Sequence, residues 1–291
     1  MSAIFKAPIA AVVFALEVIM LDLTMASIIP LLLASVSAAL TSYFFMGQDV
    51  LYPFQLMESF VLEDIPFYIM LGIIAGLVSV YFTRVYMGIH ELFAKIKKWY
   101  TKLLIGGISL GILVFFFPSL YGEGYNAINS ALHADFSYLF ENSIFFDFRN
   151  SFSAAIGLFV LVILFKVVAT SITFGSGGVG GIFAPTLFMG ANLGLAFALL
   201  TNHIGMGVIS ENNFALVGMA GLISGVLHAP LTGIFLIADI TSGYGLFMPL
   251  MITSTISYAT TRYFEHNSVY TIQLARRGEL ITHHKDKAVL K

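Results

Sequence analysis

Apolar residues run along this chain in long blocks separated by short clusters of charge. Residues 7–20 form a short apolar block ending in Glu17 and Asp22, and 23–46 carry no charge at all. A polar connection, 47–64, leads to an apolar run at 65–83 whose helical pattern continues into His90 and Glu91. Lys95, Lys97, Lys98 and Lys102 make a basic loop before the block 103–118, which ends at Pro118. Residues 119–151 are polar and acidic on balance (Glu123, Asp135, Glu141 and Asp147 against Arg149), and 152–174 are apolar with one charge, Lys166. Beyond a glycine-rich stretch come a helix from Phe183 to about Asn202, pieces at 212–227 and 229–240 broken at His228-Ala229-Pro230, a block at 246–261 and a short piece at 268–278. Segments apolar all round predict helices buried in protein or lipid. Several are shorter than the roughly 20 residues of a full crossing. Short, interrupted segments predict a site near the membrane midplane.

The interruption with the most chemistry is Gly175-Ser176-Gly177-Gly178-Val179-Gly180-Gly181-Ile182-Phe183-Ala184-Pro185. It lies in a stretch, Val167 to Ser210, without an acid, Lys or Arg. Irregular backbone at that depth survives only where protein buries it or it lines a polar cavity. The glycines allow sharp turning and close approach. Pro185 falls in the first turn of the next helix, where its missing N–H costs nothing. The first N–H groups of that helix point into the loop with the positive end of its dipole. With no acid nearby in sequence, this predicts an anion site.

Composition agrees with a membrane protein. The chain of 291 residues is 58% hydrophobic and 10% charged, with mean hydropathy +0.92, against about 25% charge in soluble domains. Cysteine is absent, which removes disulfides and thiolate metal sites. The basic clusters at Lys95–Lys102 and Arg276–Lys291 predict a cytoplasmic side for both, including the tail 281–291, and an outer position for 119–151. Lys6 before residues 7–16 has the outline of a signal peptide, but Pro8 and Glu17 fit it poorly.

An internal repeat accounts for that segment better. Lys6-Ala7-Pro8-Ile9-Ala10-Ala11-Val12 recurs as His228-Ala229-Pro230-Leu231-Thr232-Gly233-Ile234, an offset of 222 that also pairs Glu17 with Asp239 and Val18 with Ile240. Duplicated halves are a transporter architecture. At this offset the counterpart of the glycine loop falls before Met1. The chain is therefore expected to begin inside its first repeat, with about half of it missing: 1–46 the end of the first repeat, 47–64 a connection, 65–280 the second repeat with the anion-site loop 175–185, and 281–291 the tail.

Gly181-Ile182-Phe183-Ala184-Pro185, Lys6-Ala7-Pro8 through Glu17, His228-Ala229-Pro230-Leu231-Thr232-Gly233 and Tyr270 together resemble the CLC family of chloride channels and chloride/proton exchangers. The resemblance implies an all-α, polytopic inverted-repeat fold with broken and re-entrant helices. It implies coordination of a central anion at Gly181 by the backbone N–H groups of Ile182 and Phe183 and by the Tyr270 hydroxyl. It also implies a homodimer with one pore per subunit, joined through about 10–44 and 229–261, in the plasma (inner) membrane. The family's GSGIP and GxExP motifs are absent. Where the family's exchangers carry a proton-route glutamate this chain has Val18, preceded by Glu17. Channels of the family often have valine there, so passive chloride conduction is expected, with chloride/proton exchange or a non-conducting subunit as alternatives. Anion preference and gating by voltage stay open.

Other readings are weaker. Gly175-x-Gly177-x-x-Gly180 fits a dinucleotide fingerprint formally, but an apolar helix precedes it and no acid follows at the right distance. Gly72-x-x-x-Gly76 and Gly190-x-x-x-Gly194 are expected to pack helices. Lys166 is expected to snorkel toward the cytoplasmic side, with an anion vestibule as the minority reading. Glu17 and Asp239 are expected to cap or pair at helix ends, and His228 to serve free backbone groups at the break. Tyr270, without the resemblance, would be an interfacial anchor. No HExxH, GxSxG or membrane-embedded acid dyad supports an enzyme. No metal site (His283-His284 sits in the tail), cofactor or nucleic-acid partner is expected; the ligand is chloride or a similar small anion.

Overall fold

The computed structural model describes residues 1–19, 25–47, 60–241 and 245–277. Asp22, most of the 47–64 connection, His283-His284 and the tail 281–291 lie outside the described residues. The helices in order are α1 (Ser2–Phe5), α2 (Pro8–Phe14), α3 (Met25–Met46), α4 (Ile65–Ala94), α5 (Trp99–Phe116), α6 (Tyr125–Leu132), α7 (Phe152–Gly175), α8 (Phe183–Ile204), α9 (Glu211–Leu227), α10 (Pro230–Ile240), α11 (Phe247–Phe264) and α12 (Ile272–Arg277). Among the described residues, five are long and apolar enough to cross a membrane: α3, α4, α5, α7 and α8.

α9 is the centre of the bundle. Every residue from Asn213 to Leu227 is buried, as a helix apolar on all sides requires. It packs on α8, α11, α4 and α10. The approach to α8 depends on glycine. A Cβ on Gly194 would collide with the Phe214 carbonyl, and one on Gly218 would come 3.0 Å from the Cα of Gly194. Gly72 and Gly76 of α4 face α11 in the same way: a Cβ on Gly72 would lie 3.0 Å from Ile256 Cβ. Hydroxyls then join the helices. Thr253 Oγ1 donates to the Tyr68 carbonyl at 2.9 Å, Ser257 Oγ to Gly221 at 2.6 Å and Thr261 Oγ1 to Gly76 at 3.1 Å. Without a hydrophobic force between helices in lipid, close backbones and hydroxyl bonds hold the bundle.

The repeat is visible in the backbone. Lys6 (φ 53°) and His228 (φ 56°) both adopt the left-handed conformation that non-glycine residues rarely take. Each is followed by Ala-Pro opening a short helix, α2 or α10. The two helices run antiparallel and cap each other. Glu17 Oε1 accepts from the Leu231 N–H at 3.1 Å, and Glu17 Oε2 accepts from the Thr232 N–H and hydroxyl, each at 2.8 Å. Asp239 Oδ2 accepts from the Ala10 N–H at 3.2 Å. Each carboxylate thus meets the donors and positive dipole end of the other repeat's helix. His228 places its ring edge-on against Tyr258, with centroids 5.7 Å apart.

One segment departs from expectation. Residues 119–151, read as a polar outer connection, fold into α6 and short 3-10 turns that bury Ile128, Leu132, Leu139 and Phe140. Ala127, Ile128, Ala131 and Leu132 share one helical face, and the acids that coloured the segment polar lie away from it. Gly124 (φ 85°) lets this segment press against Phe188 of α8.

Two stability predictions follow from these contacts. Gly194→Ala forces a methyl against the Phe214 carbonyl and should cost about 1–3 kcal/mol, read as a lower thermal midpoint in detergent. Gly157→Ala, whose Cβ would meet nothing within 4 Å, should leave the midpoint equal or higher. Glu17→Ala and Asp239→Ala should each cost about 1–2 kcal/mol through loss of a cap, with Glu17→Gln milder; unchanged midpoints for both alanine variants would contradict the reciprocal caps.

Candidate anion site

α7 ends where glycine permits a reversal. Ser176 N–H donates to the Ile172 carbonyl at 2.8 Å and Gly178 N–H to Thr173 at 2.9 Å, closing the last turn through Gly177 at φ 99°. Gly175 lies flat against Phe93 of α4, and Ser176 packs on Gly106 of α5. The chain then runs through Gly180 and Gly181 to Ile182, which has φ −83° and ψ −9° and precedes α8. The first helical bond of α8 is Thr186 N–H to the Ile182 carbonyl, 3.1 Å. The Thr186 hydroxyl bonds that same carbonyl. The amides of Ile182, Phe183 and Ala184 precede this bond and have no acceptor within the helix; Pro185 has no N–H to contribute. A helix of 22 residues adds a dipole worth about half a positive charge at this end.

Phe183 and Ala184 border a cavity of about 910 Å³, whereas Ile182, expected to coordinate the anion, is not on its wall. Gly180, Gly181, Phe183, Ala184, Pro185 and Tyr270 are on its wall. Tyr270 arrives from the segment after α11, where the Val269 N–H reaches the Val226 carbonyl at 3.5 Å and the Ser268 carbonyl accepts from Thr271 and Ile272 at the start of α12. Phe5 and Phe14, from the first repeat, close the apolar side and touch the ring of Phe183 at 5.5 and 6.3 Å between centroids. The structure therefore brings the glycine loop, Phe183 and Tyr270 to one cavity. Ile182 turns its side chain into the core, 3% exposed. Gly175, Ser176, Gly177 and Gly178, expected in the pore loop, are not on the cavity wall; Gly175 and Ser176 pack against α4 and α5, and Gly177 and Gly178 turn the chain back over Thr173.

Two expectations are corrected. Lys166 does not snorkel. It is 2% exposed and lines the cavity, its Nζ donating to the carbonyls of Leu120 at 3.2 Å and Gly122 at 2.9 Å and lying 4.5 Å over the Phe188 ring. The folded 119–151 segment brings carbonyl acceptors to the middle of α7, so the ammonium is satisfied inside. The cavity that the loop borders also has an acid on its wall, Glu123. Sequence distance concealed both. The proton-route position lies elsewhere: Glu17 is engaged on α10, and Val18 packs against the apolar core.

A family model described as voltage gated chloride channel matches residues 1–262. A protein of Ralstonia nicotianae, named for its likeness to the chloride channel ClcB, is 31% identical over 94% of this chain and 60% of its own length. The H(+)/Cl(-) exchange transporter ClcA of Yersinia pestis is 28% identical over 95% of this chain and 56% of its own. The chain thus spans less than two thirds of the curated relatives it matches. A slow cyanobacterial Cl-/H+ antiporter, solved by crystallography, superposes with a TM-score of 0.77 at 26% identity, covering 94% of this chain and 61% of the other. The glycine loop opening α8, the mutually capped short helices and this match over nearly the whole chain lead to one assignment: the chain is a multi-pass membrane protein that belongs to the voltage gated chloride channel, or CLC, family.

Proposed function

We propose that the chain forms one wall of a chloride site in a proton-coupled chloride transporter. The observation that carries this reading is the shared cavity of Tyr270 and the unclaimed amides at the start of α8. Amide dipoles and a phenol hydroxyl hold an anion by donation alone, firmly enough to replace water and weakly enough to release it. Lys166 adds positive potential from the same wall, reduced by its two carbonyl partners and by Glu123. Chloride is the transported ligand; the reading includes no cofactor and no catalytic chemistry. The working unit is a homodimer in the plasma membrane with its tail on the cytoplasmic side.

Exchange has more support than the passive conduction expected from Val18. The Yersinia relative is named an exchange transporter and the cyanobacterial structure is an antiporter, whereas the channel reading rests on Val18 and on the names of the family model and the Ralstonia relative. It is kept as the second reading because Val18 has no proton to carry and because the Ralstonia relative is named for a channel.

Chloride efflux from liposomes, with external pH recorded at the same time, separates the readings. The expected result is efflux with proton uptake. Efflux without a pH change would restore the passive channel. Chloride binding with neither flux would make this chain a non-conducting subunit. Tyr270→Phe should raise the chloride Kd about tenfold, the worth of one hydrogen bond to a charged partner, measured by calorimetry; an unchanged Kd would remove Tyr270 from the site.

A further inference from the structure

α5 is held to the bundle along a narrow line. Gly106 is its one buried residue. It meets Ser176 at the foot of the glycine loop, so closely that a Cβ on Gly106 would come 2.3 Å from that of the serine. Leu103, Leu104, Ile108 and Ile112 are exposed along the rest of the helix. A membrane-spanning helix left so bare by the protein is covered by acyl chains.

The polar end of this surface is the turn between α4 and α5. Lys95, Lys97, Lys98 and Lys102 lie there, and no acid occurs between Glu91 and Glu123. Lys95, Lys97 and Lys98 are exposed and Lys102 is half-buried. Among the described residues none of the four is in an ion pair, and Lys98 Nζ lies over the Tyr100 ring at 5.7 Å. The adjoining end of α7 brings no countercharge, since Val167 to Ser210 contains no acid. Trp99, the single tryptophan of the chain, is 73% exposed and meets Tyr100 edge-on at 6.1 Å. Exposed amphipathic rings between an apolar column and a basic turn mark the membrane–water boundary. The lysines therefore stand at the depth of lipid headgroups.

We infer that the α4–α5 turn is a binding site for acidic phospholipid, with the headgroup phosphate against Lys95, Lys97, Lys98 and Lys102 and the acyl chains along the exposed face of α5. Charge selects the class. A zwitterionic headgroup brings an ammonium of its own, which the lysines repel. A headgroup of net negative charge is attracted by every lysine near the surface. The site lies about 10 Å along α5 from the Gly106–Ser176 contact, so its occupant adjoins the foot of the glycine loop.

Trp99 reports on its own lipid contacts, because bromine on an acyl chain quenches tryptophan fluorescence at short range. The full chain is reconstituted in mixed phosphatidylcholine and phosphatidylglycerol bilayers in which one lipid or the other is brominated. Brominated phosphatidylglycerol should quench Trp99 as though enriched about fivefold over its bulk fraction, the effect of one lysine near an anionic surface. Lys95→Gln, Lys97→Gln, Lys98→Gln and Lys102→Gln together should abolish the enrichment. The same four positions changed to Arg should keep it, which separates charge from misfolding. With Trp99→Phe and Ile112→Trp the reporter moves to the other end of α5 and should show no enrichment. Equal quenching by the two lipids in the wild type, enrichment that survives the four Gln changes, or equal enrichment at both reporter positions would each overturn the site. The outcome is independent of the chloride reading.

Discussion

Every interrupted helix in this fold leaves backbone N–H groups that lipid cannot satisfy, and the structure is organised around what it supplies to them. At the starts of α2 and α10 the acceptor is internal. Glu17 and Asp239, related by the repeat, each serve the other's helix. At the start of α8 no carboxylate among the described residues bonds the first amides, and Phe183 and Ala184 border a cavity. The same chemical demand is met by side chains in two places and, among the described residues, not in the third. That difference is what the proposed anion site at the α8 terminus rests on.

The scaffold that keeps the α8 terminus in place is correspondingly rigid. α8 cannot slide on α9, because Gly190, Gly194 and Gly218 bring the backbones into contact. α9 cannot shift without α4 and α11, whose hydroxyl bonds cross the same core. A site that depends on the direction of three amides needs this kind of support. Phe5 and Phe14 extend it to the first repeat, since both rest on the ring of Phe183.

Much of this was legible in the sequence because it is written in local residue chemistry. The glycine loop, Pro185 in a first turn, the Ala-Pro breaks and the small-residue spacings each act on the backbone within a few positions. The pairing of Glu17 with Asp239 was legible because duplication makes a long-range relation look like a local match. Lys166 was misread for the opposite reason. Its partners, the carbonyls of Leu120 and Gly122, are 46 and 44 residues away, and they reach it only because the acidic 119–151 segment has a buried face. The arrival of Glu123 at the same cavity likewise depends on how helices pack, which no local pattern records.

Crystals grown in bromide give the most direct test of the central claim, because bromide replaces chloride and is located by its anomalous scattering. The account predicts an anomalous peak within hydrogen-bond distance of the Ile182 and Phe183 amides, on the side of the cavity that Tyr270 faces. A peak found only at the Lys166 ammonium, or none in the cavity at saturating bromide, would contradict it.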